Sequence, residues 1–258
     1  MRSFSPPKST PALPRALCFS FVRLSNVIVA TDYAGLGVSH CSQPQNQLII
    51  HHYLANPAAA NDVICSIVAA RSAFPPLGSK SVSIGHSQGG GAVWAIAQYN
   101  SKENIEVYLG GVAIILTTDI RSGNDARSEE CVSQIPVSRC FTEEGLAAVN
   151  TYREVEGGCA VGMGLFLSLA LEGTLLRDGW RDNEWVVKYN DLIMSEGKEI
   201  GGTLLVIHGE RDPIIDFTLT EKAVHDIAME YPDFELEFIR LPTTHDSAIT
   251  GSQWLWMD

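Results

Sequence analysis

Residues 81–99 impose a local fold before the rest of the chain is considered. Ser81-Val-Ser-Ile84 alternates as a short strand does, Gly85-His86-Ser87-Gln88-Gly89 follows with no spacer, and Gly91 to Tyr99 is alanine-rich and apolar on most faces. A helix apolar on most faces is one buried against a sheet, so the pentapeptide has to turn a strand directly into a helix. Gly85 and Gly89, two before and two after Ser87, lack the side chains that would hold strand and helix apart. The serine of such a turn sits on strained backbone, with its hydroxyl beyond the carboxyl end of the strand. The pentapeptide alone is a weak signal in a chain with 22 glycines; the strand-turn-helix context gives it weight.

The remaining pattern supplies neighbours for that unit. Asn26-Val-Ile-Val-Ala30 is a β-branched apolar run that predicts a fully buried strand ending in the loop Thr31 to Gly37. From Pro57 to Phe74, Ala60, Val63, Ile64, Ile67, Val68 and Ala70 recur at helical spacing, and Pro75-Pro76 ends the helix. Val107 to Leu116 and Thr203 to Ile207 read as further strands, Glu235 to Ile239 as a strand nearer an edge, and Thr218 to Tyr231 as a helix. Strands alternating with helices predict an α/β fold with a parallel, helix-covered sheet joined by right-handed crossovers.

Residues 117–201 interrupt this rhythm, and so long a stretch is unusual as a plain loop. We read it as an inserted subdomain that splits the core into residues 26–116 and 202–258, after an irregular proline-rich leader over 1–25. Its apolar candidate helix, Gly157 to Leu176, suits either ordinary packing or a lid facing a greasy ligand. The leader carries Pro6, Pro7, Pro11 and Pro14, and Arg23 follows a short apolar patch, so a secretory signal is not clearly written there.

Charge and cysteine usage narrow the partners. Eighteen Lys and Arg against 30 Asp and Glu give a formal charge of −12, a field that repels phosphate backbones, so nucleic acid is excluded as an expected partner. Val161 to Leu176 contains Ser168 and Glu172 and is too short to span a bilayer. The six cysteines permit disulfides without revealing a pairing, and no Cys-x-x-Cys or His-Glu-x-x-His motif predicts a metal. No metal and no cofactor are expected, and oligomeric state is left open.

A serine hydroxyl needs a base, and the base needs a carboxylate to fix its tautomer. In a doubly wound sheet these follow in the order Ser, Asp, His, each beyond a strand's carboxyl end. Asp212, in His208-Gly-Glu-Arg-Asp-Pro213, and His245, in Leu241-Pro-Thr-Thr-His245, satisfy position and order together. Read separately, Asp212 is a turn residue before proline and His245 a loop histidine. His40, His51 and His52 precede the serine, His86 abuts it, His208 ends a strand and His225 lies mid-helix. Asp216 and Asp246 are the competing carboxylates. A tetrahedral oxyanion needs two donors: the backbone N–H of Gln88 and one from the Thr31 to Gly35 loop, where Asp32 is the candidate and equally a helix cap or loop residue.

Together, Val27-Ile-Val-Ala-Thr-Asp-Tyr-Ala-Gly-Leu-Gly37, Tyr53-Leu-Ala-Asn-Pro57, Gly85-His-Ser-Gln-Gly-Gly90, His208-Gly-Glu-Arg-Asp-Pro213 and Thr244-His-Asp246 resemble the fungal secretory lipases of the lipase A type. The resemblance runs from about residue 26 to the end. It implies an α/β-hydrolase fold with a mostly parallel central sheet and an inserted helical lid, and a triad of Ser87, Asp212 and His245. It further implies an oxyanion hole using Asp32 and Gln88, hydrolysis of a carboxylic ester through an acyl-enzyme without a cofactor, and secretion, while the apolar insertion favours a hydrophobic ester. Family members are longer, so it also implies missing front strands and a shortened final helix. The same fold serves deacetylases and acyltransferases, and a non-catalytic binding protein and a cytoplasmic location are the remaining alternatives.

Overall fold

The computed structural model describes residues 26–35, 49, 51–121, 140–147, 175–194 and 197–257. Four strands form one sheet in the order β1-β2-β3-β4: β1 Ser81–His86, β2 Tyr108–Ile114, β3 Thr203–Gly209 and β4 Leu236–Leu241. Every pairing is parallel. Parallel neighbours need long crossovers. Helix α2 (Gln88–Glu103) connects β1 to β2, and α4 (Phe217–Glu230) connects β3 to β4. Helix α1 (Asn56–Ala73) precedes β1, α3 (Glu184–Ile193) lies in the β2–β3 connection, and α5 (Ser247–Trp256) follows β4.

The sheet separates two apolar layers because its side chains alternate. Gly85, Ala113, Val206 and Phe238 are register partners on one face. There Ala113 and Val206 join Trp94 and Ala97 of α2 and Ala223 and Ile227 of α4 in one core. Ile114, Ile207 and Ile239 share the next row, on the opposite face, packed with Ala248, Leu255 and Trp256 of α5. Each fully buried aliphatic side chain in these layers contributes about 1.5–3 kcal/mol relative to exposure. Small residues bring α2 close to the sheet: a Cβ at Gly111 would lie 2.5 Å from Val93 Cγ1. Helix α1 packs on α2 through Ala60, Ala95 and Ile96, and Gly91 leaves room for the Asn56 side chain.

The expected strand at Asn26–Ala30 is not formed. That run carries no regular structure, and Val27 and Val29 are 66% and 39% exposed. β-branched residues gain stability on a pleated surface only where neighbouring strands cover them, and among the described strands β1 pairs with β2 alone.

The 1–25 leader and most of the Gly157 to Leu176 candidate helix lie outside the described residues. Of the 117–201 connection, Phe141 and Leu176 form an antiparallel bridge. Cys140, Phe141, Leu175, Trp180 and Val186 make a small core of their own. Among the described residues no helix is long and apolar enough to cross a membrane.

Candidate active site

Ser87 joins β1 to α2 with φ +57° and ψ −117°, a combination that costs a non-glycine residue on the order of 1–3 kcal/mol. The surroundings enforce it. The Ser87 N–H donates to the Ile114 carbonyl at 3.0 Å, and the Gly91 N–H donates to the Ser87 carbonyl at 3.2 Å, opening the helix. A Cβ on Gly85 would collide with the Gly89 carbonyl, so no side chain fits at that position. Gly89 itself is different: its Cβ would meet only the Tyr33 hydroxyl, at 3.9 Å. The close approach of helix to sheet falls one residue later, where a Cβ on Gly90 would lie 2.8 Å from the Ile114 carbonyl oxygen.

Asp212 lies beyond β3 in a turn closed by its own N–H on the Gly209 carbonyl, at 3.1 Å. Its side chain is fully buried. Oδ1 accepts from the Ile214 and Ile215 N–H groups at 2.7 and 3.1 Å, and Oδ2 accepts from His245 Nδ1 at 2.8 Å. Burial pushes this carboxyl up, but the hydrogen bonds from His245 and the two amides outweigh it and hold it below the usual carboxylate range. Because the carboxylate only accepts, His245 carries its proton on Nδ1, which leaves Nε2 as a lone-pair acceptor.

His245 is 4% exposed and lies between β4 and α5. Its carbonyl accepts from His86 Nε2 at 2.9 Å, and the two imidazoles meet edge to face with centroids 4.7 Å apart. The base therefore rests against the residue that adjoins Ser87. Burial, reinforced by the nearby His245, holds His86 below the ordinary histidine range. His208 is fully buried; its Nε2 donates to the Ile215 carbonyl at 3.1 Å and lies 3.7 Å from Asp212 Oδ2. Burial keeps His208 neutral in the same way.

The competing carboxylates are occupied otherwise. Asp216 caps α4, accepting from the Thr218 N–H at 2.9 Å, and Asp246 is exposed. His225 lies within α4 and His52 is exposed, while His40 is outside the described residues.

Residues 31–35 form the wall beside the turn. Asp32 is exposed, and its neighbours are clamped to α1: the Ala34 N–H donates to Asp62 Oδ2 at 2.9 Å and Thr31 Oγ1 to the Asp62 carbonyl at 3.4 Å. Tyr33 stacks on His51 with ring centroids 5.8 Å apart. Gln88 opens α2, so its N–H belongs to the first-turn donors that have no partner within the helix. Its side chain lies 3.2 Å from His51 Nε2. Sequence reasoning missed Asp62, His51 and Tyr33. Asp62 leaves one trace, as the sole carboxylate in α1; His51 precedes the serine, and chain order gives it no part in the triad. No group of three or more metal-ligating side chains occurs among the described residues.

A serine on a sharp turn after one parallel strand, an aspartate after a later strand and a histidine after the next is the layout of the α/β-hydrolase fold, and this chain has that fold. No protein-family model and no curated protein sequence matches it. Among solved structures it is similar to a Legionella pneumophila protein assigned to the hydrolases, with a TM-score of 0.61 and 13% identity over 88% of this chain and 67% of that one. It is likewise similar to the rice cell wall degrading esterase LipA of Xanthomonas oryzae, with a TM-score of 0.58 and 13% identity over 80% and 63%. Lipase A of Candida antarctica in its closed state gives a TM-score of 0.62 and 12% identity over 79% and 54%. The chain thus spans between about half and two thirds of each of these proteins. At such identities the likeness establishes the fold and carries no activity across.

Proposed function

We propose that this chain is a serine carboxylic ester hydrolase of the fungal secretory lipase type, acting on a hydrophobic ester through an acyl-enzyme. The observation that carries the reading is the buried 2.8 Å hydrogen bond from His245 to Asp212, against the residue next to a serine at φ +57°. Ser87 Oγ attacks the ester carbonyl while His245 Nε2 takes its proton and returns it to the leaving alcohol. Asp212 fixes the Nδ1–H tautomer and stabilises the imidazolium. The Gln88 N–H and a donor from the Asp32 loop bind the oxyanion, each such donor being worth about 10²–10³ in kcat. Water then resolves the acyl-enzyme by the same steps in reverse. The five segments that resemble this family support the reading, and the same resemblance implies secretion.

The test is hydrolysis of short and long p-nitrophenyl esters by the purified chain beside Ser87→Ala, with folding checked by circular dichroism. Turnover that vanishes in the variant, with fluorophosphonate labelling that vanishes alongside it, supports the reading. A folded wild-type protein that neither turns over nor labels refutes it. Transfer of the acyl group to added alcohols in preference to water would reassign it to the acyltransferases.

A further inference from the structure

His51, which precedes the serine in the chain, joins two segments of the site. His51 Nδ1 lies 3.2 Å from the Ala34 carbonyl, and His51 Nε2 lies 3.2 Å from Gln88 Nε2. A carbonyl only accepts, so the ring proton is on Nδ1. The neutral ring then has its lone pair on Nε2, and the Gln88 amide NH2 donates to it. Both ring nitrogens are thereby satisfied, one by each of two segments that are distant in sequence. One segment is the residue 31–35 loop; the other is the first residue of α2. These are the two places from which the proposed oxyanion donors come.

We propose that His51 is a positioning residue that braces the two halves of the oxyanion hole against each other. The inference rests on the ester hydrolase reading. Asp62 clamps the loop to α1 through the Ala34 N–H, whereas His51 ties the Ala34 carbonyl to Gln88. The ring's face is used as well, since it stacks on Tyr33 at an interplanar angle of 13°, and the Tyr33 hydroxyl reaches to within 3.9 Å of a Cβ position on Gly89. Burial lowers the pKa of His51 from its ordinary value, outweighing the bond to the Ala34 carbonyl and the nearby Asp62, which both raise it, and so favours the neutral ring that the bridge requires.

Oxyanion donors are effective only when held in place before the charge develops, and a misplacement of about 1 Å costs about 10²-fold. Loss of the brace therefore acts on kcat. His51→Phe keeps the stack on Tyr33 and removes both hydrogen bonds; it is expected to lower kcat about 10- to 100-fold with KM changed less than about threefold. Gln88→Met removes only the bond between His51 and Gln88, and is expected to match it because the brace fails when either end is released. The double variant is expected to be no worse than either single one, because the two side chains act through one bond. His51→Gln, with an amide donor and acceptor, is expected to recover part of the loss.

The experiment combines these kinetics with long-range 1H–15N NMR of the full chain, the His51 signals being assigned by their absence in His51→Phe and, independently, in His51→Gln. The expected result is the Nδ1–H tautomer in the wild type and a changed Nε2 shift in Gln88→Met, which keeps the test open if His51→Phe does not fold. Losses that multiply in the double variant, an unchanged kcat in both single variants, or an Nε2–H tautomer overturns the inference. A Ser87-dependent esterase with an Nε2–H His51 overturns the brace alone. An Nδ1–H His51 in a folded chain without Ser87-dependent turnover overturns the hydrolase reading, and the positioning role with it.

Discussion

Asp212→Asn separates charge and tautomer from shape. In the native side chain Oδ1 is committed to the Ile214 and Ile215 N–H groups, at 2.7 and 3.1 Å. The amide oxygen of asparagine must take that place, because two donors cannot face an NH2. The NH2 then replaces Oδ2, which accepts from His245 Nδ1 at 2.8 Å in the native site. Being a donor, it forces His245 to accept on Nδ1 and to carry its proton on Nε2. An imidazole in that state cannot take the serine proton. The corresponding change in serine protease triads lowers kcat by about 10⁴, which is about 5 kcal/mol of barrier. The protein should stay folded, since every hydrogen bond at the site keeps a partner. Asp212→Ala, by contrast, strands three buried donors at about 1–3 kcal/mol each. The assay is kcat on a p-nitrophenyl ester, with urea unfolding as the control. A folded Asp212→Asn variant that keeps more than about a tenth of wild-type kcat would refute the proposed role of Asp212 in setting the tautomer.

Other outcomes follow from burial and close approach. Gly85→Ala drives a Cβ into the Gly89 backbone, whereas Gly78→Ala meets nothing within 4 Å. Thermal melts should show the first destabilised by at least about 1–3 kcal/mol and the second close to wild type; equal stabilities would contradict the packing. Trp94 is fully buried, with its indole N–H unpartnered among the described residues. Trp94→Ala should cost about 3–5 kcal/mol, and Trp94→Phe clearly less, because it removes the stranded donor with much of the ring kept; urea unfolding that ranks them the other way would count against this core. His51, His86 and His208 are all held below the ordinary histidine range, chiefly by burial, and Asp212 is held below the carboxylate range by its hydrogen bonds. For all four groups the unfolded chain binds protons more readily, so stability rises with pH. Unfolding free energy should fall as pH drops below about 6.5 through the histidines, and again below about 4 through Asp212. A profile flat between those values would refute the burial of the three imidazoles.

Elements whose signal is carried by neighbouring residues were legible in the chain. The four paired strands and helices α1, α2 and α4 follow from apolar runs and helical spacing, because the pattern that buries one face is written every two or three to four residues. The run Asn26–Ala30 carried the same kind of signal and forms no strand, since strand formation is a property of a pair and no neighbour covers it among the described residues. The elbow shows the same limit at finer scale. The motif marks Gly85 and Gly89, yet the helix meets the sheet at Gly90, where the distance depends on how deeply α2 settles against β2.

The sequence alone determined the order of the four paired strands and of helices α1, α2 and α4, and the three residue types that stand beyond the ends of strands: Ser87, Asp212 and His245. Only the tertiary structure decided that His245 bonds Asp212 while Asp216 caps a helix, and that His51 reaches Gln88. The physical reason is one of range. Burial patterns repeat within a few residues and are local, whereas a hydrogen bond forms or fails within a few tenths of an ångström. The segments that meet here are 33 and 37 residues apart, and their approach is set by the parallel register of the sheet and the helices packed on its two faces.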